Sequence, residues 1–193
     1  MALSIGLLIY AVVQFVAFLL VLVATPIDMF RIRGDTKVIP GQCTTLWGSK
    51  LNCGSTGYTM NSDMQWASCP ARRDRFRAAQ AFTVISIFVY GAAFVLGVIM
   101  LLCNRSFRWV CLTLNAVGAV TVFIVWVAMA VTYNRVEVTT CLDLRNADIY
   151  GAGFVLLLLA WVLDIANIAV LLLLCREGDS GESGNATGNK AQA

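Results

Sequence analysis

Cysteine thiols and one intramembrane carboxylate are the reactive groups this chain offers, and their spacing sorts them. Cys43, Cys53, Cys69 and Cys141 fall in two polar segments, whereas Cys103, Cys111 and Cys175 fall at the ends of apolar runs. An even set in water-exposed loops permits complete disulfide pairing in an oxidising compartment, and three thiols at the opposite surface suit a reducing one. The sequence contains no histidine, which excludes imidazole bases, Ser/His/Asp triads and His-ligated metal or haem sites. With the loop cysteines paired and no nucleophile beside a base, the residues describe no enzyme, no metal site and no cofactor site. Two further sets remain: Arg72, Arg73, Arg75 and Arg77 in one short run, and Gln14, Asn115, Asp164 and Asn167 inside apolar stretches.

The elements that must position these groups are membrane helices. Of 193 residues, 59% are apolar and 13% charged, against about 25% charged in a soluble domain. Segments 3–24, 78–103, 109–132 and 150–175 are long enough to cross roughly 30 Å of hydrocarbon at about 1.5 Å per residue. The first lacks a charged leader and ends in Ala24-Thr25-Pro26, a poor cleavage site, so it reads as a retained anchor. The remainder divides into a large loop (25–77), a short turn (104–108), a second loop (133–149) and a tail (176–193). The tail, rich in Gly, Ser, Asn and Ala, is expected to be disordered because it cannot bury enough apolar surface to offset its ordering entropy.

Two arguments about orientation conflict. Ten of the 14 Lys and Arg lie in the two loops, which by positive-inside counting would place the loops in the cytosol. The cysteine partition puts them outside, and a structured, stapled loop can override a charge bias. The expectation is therefore cytosolic termini and extracellular loops in a multi-pass plasma-membrane protein. In that orientation the sequons at Asn104 and Asn185 face the cytosol.

Within the large loop, Phe30 and Ile32 alternate with Arg31 and Arg33, the chain turns at Gly34-Asp35, and Lys37-Val38-Ile39 resumes before Pro40-Gly41. This predicts a short hairpin. Segment 43–53 is a third candidate strand and turn, and 135–141, RVEVTTC, a fourth. The result is a small antiparallel sheet outside the membrane. Four cysteines allow three pairings; a hairpin brings the ends of a short turn within reach of one another, which favours Cys43 with Cys53 and leaves Cys69 for Cys141.

The stretch Cys43-Thr44-Thr45-Leu46-Trp47-Gly48-Ser49-Lys50-Leu51-Asn52-Cys53 closely resembles the signature of the amastins, small surface glycoproteins of kinetoplastid parasites. That signature runs Cys, apolar, Thr or Ser, Leu or Phe, Trp or Phe, Gly, any, basic, any, polar, Cys. Cys43, Thr45, Leu46, Trp47, Gly48, Lys50, Asn52 and Cys53 match its specified positions, and Thr44 departs from it. The resemblance extends over the chain and implies four spans, cytosolic termini, a signature-bearing first outer loop, and a role at the parasite surface in contact with the host compartment. Amastins are in turn similar to the claudin superfamily, which implies a first-loop sheet completed by a strand from the second loop. That link is architectural and transfers no barrier function. Read from the residues alone, Trp47 is an amphipathic ring in a disulfide-bounded turn, suited to packing on the staple or resting at the headgroups, with core packing favoured over ligand contact.

Pro70 followed by ARRDRFRAAQ predicts a helix start that runs into the second span. Arg72, Arg73, Arg75 and Arg77 then leave a surplus of positive charge just above the bilayer. Lipid-headgroup anchoring is the plainer use, at about 1 kcal/mol per residue near anionic lipid; contact with a host membrane or an anionic glycan is the sharper one. Nothing points to nucleic acid.

Asp164 is an acid about halfway through the fourth span, and such a residue is by default a functional-site candidate. It shares a helical stripe with Ala160, Asn167 and Leu171, and Asn115, Gly118 and Ala119 form a small polar stripe on the third span. Counted from the inner ends, Asn167 and Asn115 lie roughly 10 to 12 Å deep, and Gln14 matches Asp164 at roughly 16 Å. Hydrogen-bonded glue between helices, with a protonated Asp164 bonded to Gln14 or an asparagine, is favoured over proton or ion passage, which needs several sites in series. Ala93 and Gly97 offer a small-residue pair for close packing within the bundle or between copies. Cys103, Cys111 and Cys175 are candidate palmitoylation sites. The expected fold is thus a mainly α, claudin-like four-helix membrane bundle with a small disulfide-stapled extracellular antiparallel β-sheet.

Overall fold

The computed structural model describes residues 2–32, 41–102, 108–135, 141 and 144–186. Four helices, α1 (Ala2–Ala24), α3 (Pro70–Leu102), α4 (Arg108–Asn134) and α6 (Ala152–Ala186), each contain a stretch long and apolar enough to span a membrane. In hydrocarbon every backbone polar group must be satisfied within the segment, and an uninterrupted apolar helix does this. The helices form a ring in which α1 packs on α3, α3 on α4, α4 on α6 and α6 on α1. Two short helices, α2 (Ser62–Gln65) and α5 (Leu144–Ala147), lie in the loops. Pro70 starts α3 as expected; its missing N–H falls where a helix has no internal acceptor for one.

Among the described residues five strands make one antiparallel sheet: β1 (Asp28–Ile32), β2 (Cys43–Thr45), β3 (Gly48–Lys50), β4 (Met60–Asn61) and β5 (Asp148–Tyr150), in the order β4-β3-β2-β1-β5. Phe30 is the register point, opposite Thr44 on one side and Tyr150 on the other. Its buried ring stacks on Tyr133 at 6.0 Å between centroids and tilts against Phe76 at 6.5 Å. One core therefore runs from Ala17, Val21, Val122, Val125 and Leu157 in the bundle to Met29, Phe30, Leu46 and Trp66 outside it. A smaller cluster of Leu7, Tyr10, Met100, Cys111 and Leu171 closes the other end.

The sheet differs from expectation in where the second loop joins it. Among the described residues the second loop contributes β5, directly before the fourth span, so that span begins at Ala152 and Tyr150 belongs to the sheet. Gly151 is the cause: its N–H donates to the Met29 carbonyl at 2.8 Å, and a Cβ there would run into the Asp28 carbonyl. The first arm of the Phe30 hairpin appears as β1, but its second arm falls in 33–40, outside the described residues, as does most of the 135–141 strand. Segment 43–53 forms a β2–β3 hairpin. The tail is not disordered throughout: α6 continues to Ala186, because extending an existing helix adds a backbone bond per residue without a new nucleus.

Candidate functional site

The signature segment builds the β2–β3 hairpin, and each of its fixed positions has a local task. The Thr45 hydroxyl accepts from the N–H groups of Trp47 and Gly48 at 3.1 and 3.2 Å and donates to the Gly48 carbonyl at 3.0 Å. It thereby satisfies the tight β2–β3 turn from within. Leu46 is fully buried and Trp47 half-buried against the same core, the packing role read from sequence. Gly48 lets β4 approach, since a Cβ there would overlap the Met60 carbonyl. Lys50 is buried, its Nζ 3.4 Å from the Pro26 carbonyl and 4.8 Å from the Tyr58 ring centre. The Asn52 side chain accepts from the Gly54 N–H at 3.0 Å, turning the chain towards Cys53. Thr44 has a polar partner that accounts for its departure from the pattern: its hydroxyl accepts from Gln65 Nε2 at 3.2 Å.

Disulfides join Cys43 to Cys53 and Cys69 to Cys141, with Cα separations of 5.4 and 6.0 Å. The first closes the hairpin and the second ties the two loops together, as favoured from spacing. The Asp28 carboxylate approaches the Cys43–Cys53 sulfurs, but sulfur held in a disulfide offers no thiolate to a metal. Gln80 of α3 locks the hairpin to the bundle, donating to the Leu46 carbonyl at 2.7 Å and the Ser62 hydroxyl at 2.8 Å.

The arginine run does not act as one surface cluster. Arg72 is fully buried, its guanidinium 4.8 Å over the Trp66 ring, so its expected lipid or partner contact is corrected to an internal one. The periodicity of α3 explains this, because Arg72 and Phe76 fall on the inward face one turn apart. Arg72 also attracts Asp148 of β5, whose carboxyl burial pushes up to about 6. Arg73 and Arg75 are half-buried, and Arg77 is exposed and paired with Asp63 at 2.8 Å. That hydrogen bond holds the Asp63 carboxyl below its ordinary value.

Inside the bundle, Gln14, Asn115, Asp164 and Asn167 are all at most 1% exposed and form one polar layer. Their pairing differs from expectation. Asp164 Oδ2 accepts from the Tyr90 hydroxyl at 3.0 Å, not from Gln14. Gln14 Oε1 accepts from Asn167 Nδ2 at 2.8 Å, and Asn115 Nδ2 donates to the Tyr10 hydroxyl at 2.9 Å and the Cys111 carbonyl at 2.8 Å. The sequence reading missed Tyr10 and Tyr90. Their signal was position: a tyrosine in the interior of a span, away from the interfacial belt, needs a buried partner for its hydroxyl. Glycines make room for both rings, Gly97 for Tyr10 and Gly118 for Tyr90, with each added Cβ falling 2.8 Å from a ring carbon. Gly97 thus seats an aromatic ring.

The three cysteines at the opposite ends of the spans separate likewise. Cys111 is buried with its sulfur 4.0 Å from Met100 Sδ, which withdraws it from acylation. Cys103 and the Cys175 side chain lie outside the described residues.

Four spanning helices capped by a disulfide-stapled sheet that a second-loop strand completes make this a tetraspan, claudin-like membrane protein. The family model of the amastin surface glycoproteins matches residues 15–171, from the first span through the fourth. The chain belongs to the amastin surface glycoprotein family. No curated protein matches it.

Proposed function

We propose that this transmembrane protein sits in the plasma membrane with both termini cytosolic, and that its outer domain contacts the membrane of a host cell or vacuole. The observation that carries the reading is a set of exposed apolar side chains on that domain. Leu51, Tyr58, Met60 and Met64 are exposed along β3, β4 and α2, with Met64 68% exposed, although other parts of the same domain are buried to below a tenth. Arg77 pairs with Asp63, the sequence neighbour of Met64, and Arg73 lies on the same side of α3 as Arg77, one turn away. Exposed apolar side chains rimmed by cations suit an anionic lipid surface. The role is one of contact, with the disulfides holding the face in shape.

Binding of the full-length protein in neutral-lipid nanodiscs to phosphatidylserine vesicles tests this. Binding should weaken with added salt, because exposed charges are screened beyond about 10 Å at 0.1 M, and should fall in Met64→Ser and Arg73→Gln. Equal binding at low and high salt would sink the electrostatic part, and no binding would sink the reading.

A further inference from the structure

We propose that the lipid-facing seam between α4 and α6 binds a membrane sterol, with the sterol hydroxyl at Tyr150 and its fused rings against Trp126 and Trp161. Two tiers of aromatic rings line this seam. Next to the sheet, the Tyr150 ring stacks on Phe154 at 4.3 Å between centroids and meets Tyr133 at 4.2 Å. Deeper in, Trp126 and Trp161 meet edge-on at 5.7 Å, and Phe123 lies 5.2 and 5.9 Å from them. The tiers share one seam because Trp126 and Tyr133 on α4, and Phe154 and Trp161 on α6, are each two turns apart on one helix face. Phe123 is 43% exposed and both tryptophans are half-buried, so the rings present one side to the core and another to the surrounding membrane.

A tryptophan in a span ordinarily sits in the interfacial belt with its N–H paired. Trp126 instead lies about 12 Å below Asn134 along α4, and its Nε1 has no hydrogen-bonding partner among the described residues. Interfacial anchoring therefore does not account for it. The polar groups stand at the other end of the seam, where Asn134 Nδ2 donates to Tyr150 Oη at 3.4 Å and both side chains are exposed. The Tyr150 O–H itself has no acceptor among the described residues. The seam thus runs from a hydroxyl at the membrane surface to an aromatic wall in the hydrocarbon, which is the layout of a sterol, with one hydroxyl at the end of a rigid plane of fused rings. A flexible acyl chain loses more conformational freedom against a fixed wall than a preorganised ring system does. Val131, Tyr133 and Arg135 also fit the spacing proposed for sterol contact; that pattern is common by chance, and it adds only its place at the head of this seam. The site does not depend on the surface-contact reading.

Photo-cross-linking tests the site. The full-length protein in phosphatidylcholine nanodiscs, irradiated with a trace of a sterol that carries a diazirine on its ring system, should give adducts that map to 123–133 and 150–161. Excess unlabelled 3β-hydroxysterol should suppress them, and its 3α epimer, whose hydroxyl leaves the ring plane, should not. Tyr150→Phe, which keeps the ring and loses one hydrogen bond, should raise the half-suppressing sterol concentration by about fivefold. Trp161→Leu should abolish the adducts, with Phe88→Leu, at an exposed position of α3, as the control; where Trp161→Leu does not fold, Tyr150→Phe decides alone. Adducts spread over all four spans, or undiminished by excess sterol, overturn the proposal, because ordinary lipid then fills the seam. So do adducts that compete normally in the seam variants, and so does a cross-link between two copies through 123–161, which makes the occupant a second copy.

Discussion

The Tyr90 hydroxyl, on α3, donates to the Asp164 carboxylate, on α6, at 3.0 Å across the bundle axis, over a position on α4 where Gly118 contributes no side chain. Three helices meet at this contact, and the absent side chain is as necessary as the two present ones.

Gly118→Ala should therefore destabilise the bundle. The new methyl would fall 2.8 Å from a Tyr90 ring carbon, and overpacking of this kind costs about 1 to 3 kcal/mol. Gly57→Ala, where nothing lies within 4 Å, is the control. Thermal unfolding in detergent should show a lower Tm for the first only; equal values would mean that the ring shifts freely.

Gln14→Leu removes the acceptor of the Asn167 amide. Interhelical hydrogen bonds in membranes are worth about 0.6 kcal/mol on average and up to about 1.7, so the loss should be modest. A double-mutant cycle with Asn167→Leu should return a coupling energy in that range. A coupling near zero would show that the two side chains do not act together.

Cys69→Ser, Cys141→Ser and the double variant should lose the same stability, because either change removes the whole loop-to-loop bond. The expected loss in the loop domain is about 2 to 5 kcal/mol, read as faster proteolysis of the loops with the spans still protected. Unequal single variants would point to a different pairing.

Arg72→Ala should cost more than Arg77→Ala. Arg77 and Asp63 are an exposed pair, with side chains 54% and 53% exposed, and such pairs are worth about 0 to 1 kcal/mol. Arg72 is enclosed between Trp66 and the second loop, where its removal loses packing as well as charge. The opposite order in unfolding measurements would place Arg72 at the surface.

The sheet domain should be more stable at pH 5 than at pH 7.5. Burial raises the folded-state value of Asp148 to about 6 from 3.8, with Arg72 opposing. A raised folded value means that the fold holds the proton more tightly, so the contribution is complete below the unfolded value and is lost as pH rises through about 6. Asp63, held low by Arg77, has the opposite sign, and its window lies below 3.8. Asp148→Asn should flatten the slope between pH 5 and 7.5, and a wild-type slope that rises with pH would refute this.

What the sequence by itself determined is what depends on local composition and spacing. Four apolar runs specify four spans because hydrocarbon admits little else, Pro70 specifies a helix start, and a cysteine at each end of a turn-forming segment specifies a staple. The depth of Asn115 against Asn167 was also legible, since helix rise converts residue number into distance. Three features waited on the tertiary structure. β5 could not be read because three residues beside an apolar run look like the first turn of a helix, and only Gly151 against Asp28 shows otherwise. Arg72 reads as charge in the sequence, yet the rotation of α3 turns it inward. The partner of Asp164 was decided by Gly118, because the space beside a residue on one helix belongs to another, and no spacing along a single chain records which ring will fill it.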